Sequence, residues 1–521
     1  QVDPSGQVTR AREGESHRGA LTQAYLRSFS YWFPERRTAK LESLGARDLE
    51  GRRFEVVRAE PENGHSIELW FDTRSHLLDR VIEGQGQGTQ TTLLSDYREV
   101  QGLKFPFSQR VTTGDAKFDT VLAVETIEVN GPFDTARLAP PAERADDWTL
   151  ADGRSETIVP FELANDHLYL EVDLDGRGAL PFLFDTGGVN VVTPEVAKRL
   201  GLKVQGAIAG QGVGEKSEEV ALAQVGSVRV GDLTLRDQLF FVFPLAEVDQ
   251  IEGRPIAGLI GFEVAKRLPM RIDYAGRKIT FFAPREFKAP ADAFAIPIAF
   301  DDRTPRVEGK VDGLAGWFSI DTGSRSALDL MSPFVAKHDL TAKYRTTAEI
   351  TTGWGVGGAA KSRVARIAKL ELGGLEIPQV VTGFSTQTKG AMANPNLAGN
   401  IGGGVLKRFT VTLDYRNEKI YLDPNAMFPY PDGFDRSGMW LRQVADGFRI
   451  DDLVLDGPAK QAGLTIGDVI AQIDGKPATE IPLSDFRRRL KTDAVGTKLA
   501  LSVVREGPSR DVEIVLRELV P

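Results

Sequence analysis

Two short segments of the 521-residue chain carry the same reactive residues. Asp185-Thr186-Gly187 closes the apolar run at 182–184, and Asp321-Thr322-Gly323 closes the run at 318–320, 136 positions later. A single Asp-Thr-Gly is a turn signal, in which the carboxylate caps the turn and glycine permits it. Two of them meeting face to face would do more. Carboxylates about 3 Å apart cannot both ionise, so they share one proton. One then acts as base toward a water while the other donates to a carbonyl oxygen. The glycines allow a tight turn whose N–H groups point at the carboxylates. This is hydrolytic chemistry that calls for neither metal nor cofactor.

The residues around each motif show what must position it. Residues 182–202 (FLFDTGGVNVVTPEVAKRLGL) and 318–340 (FSIDTGSRSALDLMSPFVAKHDL) share one order: apolar strand, Asp-Thr-Gly, short apolar strand, helix start. Thr193-Pro194 and Ser332-Pro333 read as hydroxyl N-caps followed by proline in the first turn. Downstream, 228–238 mirrors 370–380, and GLIGFEVAKRLPMRIDYAGRKITF (258–281) mirrors GNIGGGVLKRFTVTLDYRNEKIYL (399–422). Near-constant offsets over four blocks mean two copies of one unit, rich in short β-branched strands. If the copies pack about a pseudo-twofold axis, equivalent residues near that axis meet.

Composition removes competing chemistries. A net charge of −9 argues against a sequence-blind nucleic-acid binder, which needs a basic surface. There is no cysteine, hence no thiol nucleophile, thiolate metal site or disulfide. No apolar run reaches the length of a membrane helix. The five histidines form no H-E-x-x-H pair and there is no G-x-S-x-G elbow, so each histidine reads as a packed or solvated side chain. The chain begins at Gln1. Export with removal of a signal peptide, most simply to a bacterial periplasm, is the expectation.

The doubled Asp-Thr-Gly, the blocks Ile260-Gly261 and Ile401-Gly402, and the Gly-rich segments between them resemble a retropepsin-like aspartic protease with two lobes fused in one chain, as in pepsin. The resemblance spans roughly 150–425. It implies Asp185 and Asp321 as the catalytic dyad, supported by Thr186, Gly187, Thr322, Gly323 and Ser324, with the two threonine hydroxyls bridging the lobes. Gly188 stands where the second copy has Ser324, so the Ser324 hydroxyl could bond Asp321 while Asp185 lacks that partner. The carboxylates are then electrostatically unequal.

The Gly-rich segments 210–215 and 352–358 read as flap tips, with Gly212, Val213, Gly214, Trp354, Gly355 and Val356 as substrate-binding candidates. Gly353, Gly355 and Gly358 also match G-x-G-x-x-G, but strand-like alternation follows instead of a capped helix, against a dinucleotide site. Pepsin-type flaps carry a tyrosine. Here Trp354 is the nearest aromatic, either covering part of the cleft or packed under its own loop.

Residues 437–521 resemble a PDZ domain: the loop Ser437, Gly438, Met439 and Trp440, a strand, Gly457-Pro458 opening a short helix, then Gly467-Asp468 and Asp474-Gly475. The resemblance implies that a peptide adds as a strand while that loop holds its C-terminal carboxylate. Trp440 is bulky enough to narrow the groove or to leave it filled by this chain. Residues 1–147 alternate like an antiparallel sheet and faintly resemble lipoprotein-sorting folds.

The expected fold is therefore mainly β. An N-terminal β domain (1–147) precedes protease lobes at 148–288 and 289–425, with a PDZ domain at 432–521. The expected function is that of an aspartic endopeptidase acting on proteins or peptides with PDZ-assisted recognition. The alternatives are a non-enzymatic peptide-binding scaffold and a mainly self-processing protease.

Overall fold

The computed structural model describes residues 15–85, 88–139, 147–210, 214, 218–301 and 303–520. The chain is mainly β and falls into two compact units, residues up to Glu143 and from Arg144 onward.

In the N-terminal unit, seven antiparallel strands from Ala39–Leu49 to Thr120–Ala123 follow one another as a meander. The helix Glu15–Arg27 packs on it through Tyr25, in a core with Ala59, Ile67, Leu69, Leu78 and Val81.

The larger unit is built on the duplication. In the first copy the strands run in the spatial order Glu162–Ala164, His167–Leu174, Ala179–Asp185, Gly258–Gly261, Val191–Val192, Leu233–Val242, Glu218–Val230, Val204–Gly210. In the second copy the equivalent strands, from Ala299–Asp301 to Ile350–Gly355, follow the same order. A third, six-stranded sheet takes three strands from each copy. At its centre Met270–Asp273 lies antiparallel to Phe409–Asp414, with Arg271 directly opposite Thr412. These two residues are equivalents in the repeat, so the pseudo-twofold axis passes between them. One continuous apolar core, including Phe184, Ile272, Phe318 and Val411, joins both copies.

One helix start differs from expectation. Thr193 caps its helix, its hydroxyl accepting from Val196 N–H, with Pro194 in the first turn. The second helix, Ser332–Lys337, begins one residue earlier, with Met331 as cap and no side-chain bond. Helix boundaries shift by a residue easily, because φ and ψ at the first turn barely distinguish the alternatives.

The C-terminal strands form a sheet in the order Met439–Val444, Gly447–Leu453, Val469–Ile473, Lys498–Val504, Arg510–Val515, with its own core around Phe448 and Phe486. The stretch 423–437, rich in Pro, Asp and Gly, is tied down. Arg408 and Asp432 form a buried ion pair at 2.7 Å, and Arg436 N–H donates to Leu490.

Candidate active site

Each Asp-Thr-Gly sits where a strand of one copy ends beside the crossing Ile-Gly strand. Asp185 lies at the end of Ala179–Asp185, with Phe184 opposite Ile260 and Asp185 opposite Gly261 in a parallel pairing. Ile320 pairs the same way with Ile401, and Asp321 N–H donates to Ile401. Glycine is required at 261, because a Cβ there would fall 1.6 Å from the Asp185 carbonyl oxygen.

The threonines lock the two copies together. Thr186 N–H donates to Thr322 Oγ1 at 3.0 Å, and Thr322 N–H donates to Thr186 Oγ1 at 3.2 Å. Each hydroxyl then donates into the opposite copy, Thr186 to the Ile320 carbonyl and Thr322 to the Phe184 carbonyl. All four groups are buried and paired, so the loops cannot separate without leaving orphaned donors.

This lock presents the carboxylates side by side. Gly187 N–H donates to Asp185 Oδ1 and Gly323 N–H to Asp321 Oδ1, at 3.0 and 2.8 Å. A Cβ on Gly323 would fall 2.5 Å from the Asp185 carboxylate, so Asp185 lies directly against the opposite loop. Burial, and then the charge of Asp321, push the Asp185 carboxyl up to about 7. Burial also raises Asp321, opposed by a hydrogen bond from Asn400.

The asymmetry expected from Ser324 has another origin. Ser324 meets Asp321 through its backbone, and the outer oxygen Oδ2 accepts from Asn400 Nδ2 at 2.8 Å. A Cβ on Gly188 would fall 2.5 Å from Asp185 Oδ2, so serine does not fit there as the carboxylate now lies. Asn400 was overlooked in the sequence, although the repeat marks it: the equivalent residue of the first copy is Leu259. Tyr415 was also overlooked. Its hydroxyl donates to the Thr186 carbonyl at 3.0 Å, whereas the hydroxyl of its counterpart Tyr274 has no hydrogen-bond partner among the described residues.

Beside the dyad lies a buried charge network absent from the sequence reading. The Glu252 carboxylate accepts from Asn165 Nδ2 at 2.9 Å and from the Tyr169 hydroxyl at 3.0 Å, with His167 Nδ1 at 3.1 Å and Arg325 at 3.6 Å. Burial opposes its ionisation, but His167, Arg325 and Arg487 hold it below the usual carboxylate range. His167 also lowers both aspartates electrostatically. Among the described residues no group of His, Asp and Glu could hold a metal ion.

The second Gly-rich segment is a hairpin tip. Ile350–Gly355 pairs with Gly358–Leu372, and Gly357 and Gly358 have positive φ of 86° and 111°. No helix follows it, contrary to a dinucleotide site. Val356 packs against the apolar cluster of Tyr169, Leu183, Val191 and Leu245 in the first copy. Of the first tip, Gly212 and Val213 lie outside the described residues. Gly214 N–H donates to the Val356 carbonyl at 2.8 Å, so the tips touch. Trp354 reaches beyond its own hairpin. Its indole N–H donates to Glu247 Oε2 at 3.2 Å, on the helix Ala246–Glu252, and its ring lies 4.8 Å from the Arg442 guanidinium.

The loop at 437–440 is filled from within. Ser437 N–H, Gly438 N–H and Ser437 Oγ all donate to Asp435 Oδ1, at 2.9, 2.8 and 2.6 Å. Met439 N–H donates to Ser437 Oγ, and Trp440 is buried between Arg325 and Arg487, 4.2 and 5.9 Å from its ring.

Residues 170–264 match the family model of an aspartyl protease, and residues 438–516 match that of a PDZ domain. The chain carries both domains. A probable periplasmic serine endoprotease, DegP-like, from Pseudomonas fulva (strain 12-X) is 36% identical over 70 residues, which is 13% of this chain and 14% of that protein. The chain thus spans about a seventh of the length of this curated relative. An aspartic proteinase from Irpex lacteus aligns over 53% of this chain and 98% of its own, at 14% identity and a TM-score of 0.35. The aspartyl protease match ends at 264, so the second copy enters through the repeat and the shared strand order. Among the described residues no helix is long and apolar enough to cross a membrane.

Proposed function

We propose that this chain is an aspartic endopeptidase, hydrolysing peptide bonds in extended polypeptides with a water held between Asp185 and Asp321. The observation that carries this reading is the reciprocal threonine lock, which fixes two half-buried, pKa-raised carboxylates against each other across the repeat axis. With one shared proton, the ionised carboxylate takes a proton from water. The protonated one donates to the carbonyl oxygen as the tetrahedral intermediate forms. Asn400 favours charge on Asp321, because hydrogen bonding to the ionised form stabilises it. Asp185, lacking such a donor, is then the one that holds the proton. Thr186, Gly187, Thr322 and Gly323 position the pair, while Val356 and the tip at Gly214 close over the bound chain and exclude water.

The periplasmic relative and the PDZ match support a role in an exported compartment, acting on proteins recognised partly by their tails. The test is the pH profile of cleavage of an unfolded protein by the wild type, Asp185→Asn and Asp321→Asn. Cleavage by the wild type that fails in both variants, with a basic limb near pH 7, supports the dyad. Substantial cleavage by either variant refutes it.

A further inference from the structure

The strand Met439–Val444 is the outer strand of the PDZ sheet, the edge to which a peptide would add. It is covered. The helix Ala246–Glu252 of the first copy lies against it, and Arg442 Nη1 donates to Gln250 Oε1 at 3.2 Å. The loop that would take a peptide's terminal carboxylate already holds the Asp435 carboxylate. Arg487, on the helix Leu483–Thr492, reaches across the groove and donates to the Leu441 carbonyl at 2.7 Å. Both halves of the peptide site are thus occupied by this chain.

The same contacts hold the second flap. Trp354 is fixed between Glu247 of the covering helix and Arg442 of the edge strand. Three residues further back, Thr351 N–H and Oγ1 both donate to Asp452 Oδ2, at 2.8 and 2.7 Å. Helix, flap and edge strand therefore meet at a single junction, and a peptide lying along the strand would displace the helix that completes it.

We infer that the PDZ domain is a latch on the flap. An extended peptide with a free C-terminal carboxylate competes with the helix Ala246–Glu252 for the edge strand and with Asp435 for the loop, and its binding releases Trp354. Peptide binding and the closed flap exclude each other. The effect on cleavage rests on the endopeptidase reading, whereas the exclusion does not. Because coupling between two sites is reciprocal, whatever loosens the docked helix strengthens peptide binding.

The chain has no cysteine, so a Lys198→Cys, Lys476→Cys pair gives two unique spin labels, one on the first copy and one on the PDZ domain. Glu247→Ala with Gln250→Ala removes the helix's bonds to Trp354 and Arg442 while leaving the PDZ domain unaltered. The peptide probe is a pool of fluorescein-labelled nonapeptides, random in the last four positions, with free or amidated C-termini. Relative to the parent, the double variant should show a broadened label–label distance and bind the free-acid pool at least ~10-fold more tightly. The amidated pool should bind neither protein. Flap opening admits substrate, so kcat/KM on quenched casein should rise at least ~3-fold. Unchanged distances with unchanged peptide affinity would overturn the latch, as would failure of the free-acid pool to bind the double variant. Distances and affinity that respond while neither protein cleaves casein would uphold the latch and sink the endopeptidase reading instead.

Discussion

Asp185 carries a large electrostatic cost at neutral pH. Its carboxyl is raised from 3.8 to about 7 by burial and by Asp321. The folded state therefore holds a proton that the unfolded chain has released, and stability falls as pH rises from about 4 to about 7. Asp185→Asn should abolish cleavage, by at least ~10³-fold in kcat, yet raise the melting temperature at pH 8 by a few degrees and leave it nearly unchanged at pH 4. Asp321→Asn should be as inactive, and the double variant no worse, because the pair acts as a unit. Asn400→Leu, which copies Leu259 of the first repeat, removes the donor that favours ionised Asp321. The acidic limb of the pH profile, which reports ionisation of Asp321, should then move upward by about one unit, read from kcat/KM between pH 2 and 8. Gly188→Ser should inactivate the enzyme despite matching Ser324, since its Cβ would fall 2.5 Å from the Asp185 carboxylate. Wild-type activity in that variant would mean that the carboxylate adopts another position during turnover.

At the level of elements, the strands ending in the dyad are joined by hydroxyls rather than by backbone ladders. Thr186→Val removes the acceptor for Thr322 N–H and the donor to the Ile320 carbonyl, both buried. The expected loss is about 1–3 kcal/mol for each orphaned group, seen as a lower denaturant midpoint. Thr322→Val should behave alike, with the double variant losing less than the sum because the two hydroxyls form one network. Ser in place of either threonine keeps the hydroxyl and should restore most of the stability. If threonine acted only by packing, valine would be nearly silent and serine the damaging change.

For the whole molecule, the PDZ domain shares apolar surface with the second copy. Val454 and Val520 are buried with Ile350, Val364 and Val381, and Arg366 donates to the Val520 carbonyl. Deleting residues 432–521 uncovers that patch and leaves Arg408 without Asp432, so the remainder should melt at a lower temperature. A tether would assist only long substrates carrying the right tail. A domain docked on the flap acts on every substrate. Per folded molecule, short peptides and proteins should therefore change by the same factor on deletion, and a loss confined to proteins would restore the tether.

The duplication, the mainly β character, the paired Asp-Thr-Gly and the PDZ pattern were legible in the sequence, because each rests on local spacing that survives in one dimension. Apolar runs ending in Asp-Thr-Gly, glycines beside them and Thr193-Pro194 are all short-range signals. The repeat even held the clue to unequal carboxylates, although it pointed to Ser324 when the partner was Asn400, 79 positions away from Asp321. What only the tertiary structure decided lies between distant segments. His167 with Glu252, Trp354 with Glu247 and Arg442, and Asp452 with Thr351 are separated by 85 to more than 100 positions, and no periodicity links them. Trp354 illustrates the reason. A large aromatic at a hairpin tip must bury its ring somewhere, but the choice among cleft, loop and neighbouring domain depends on which surface stands within reach. That is set by the docking of whole sheets through their buried area, and not by the residues on either side of it.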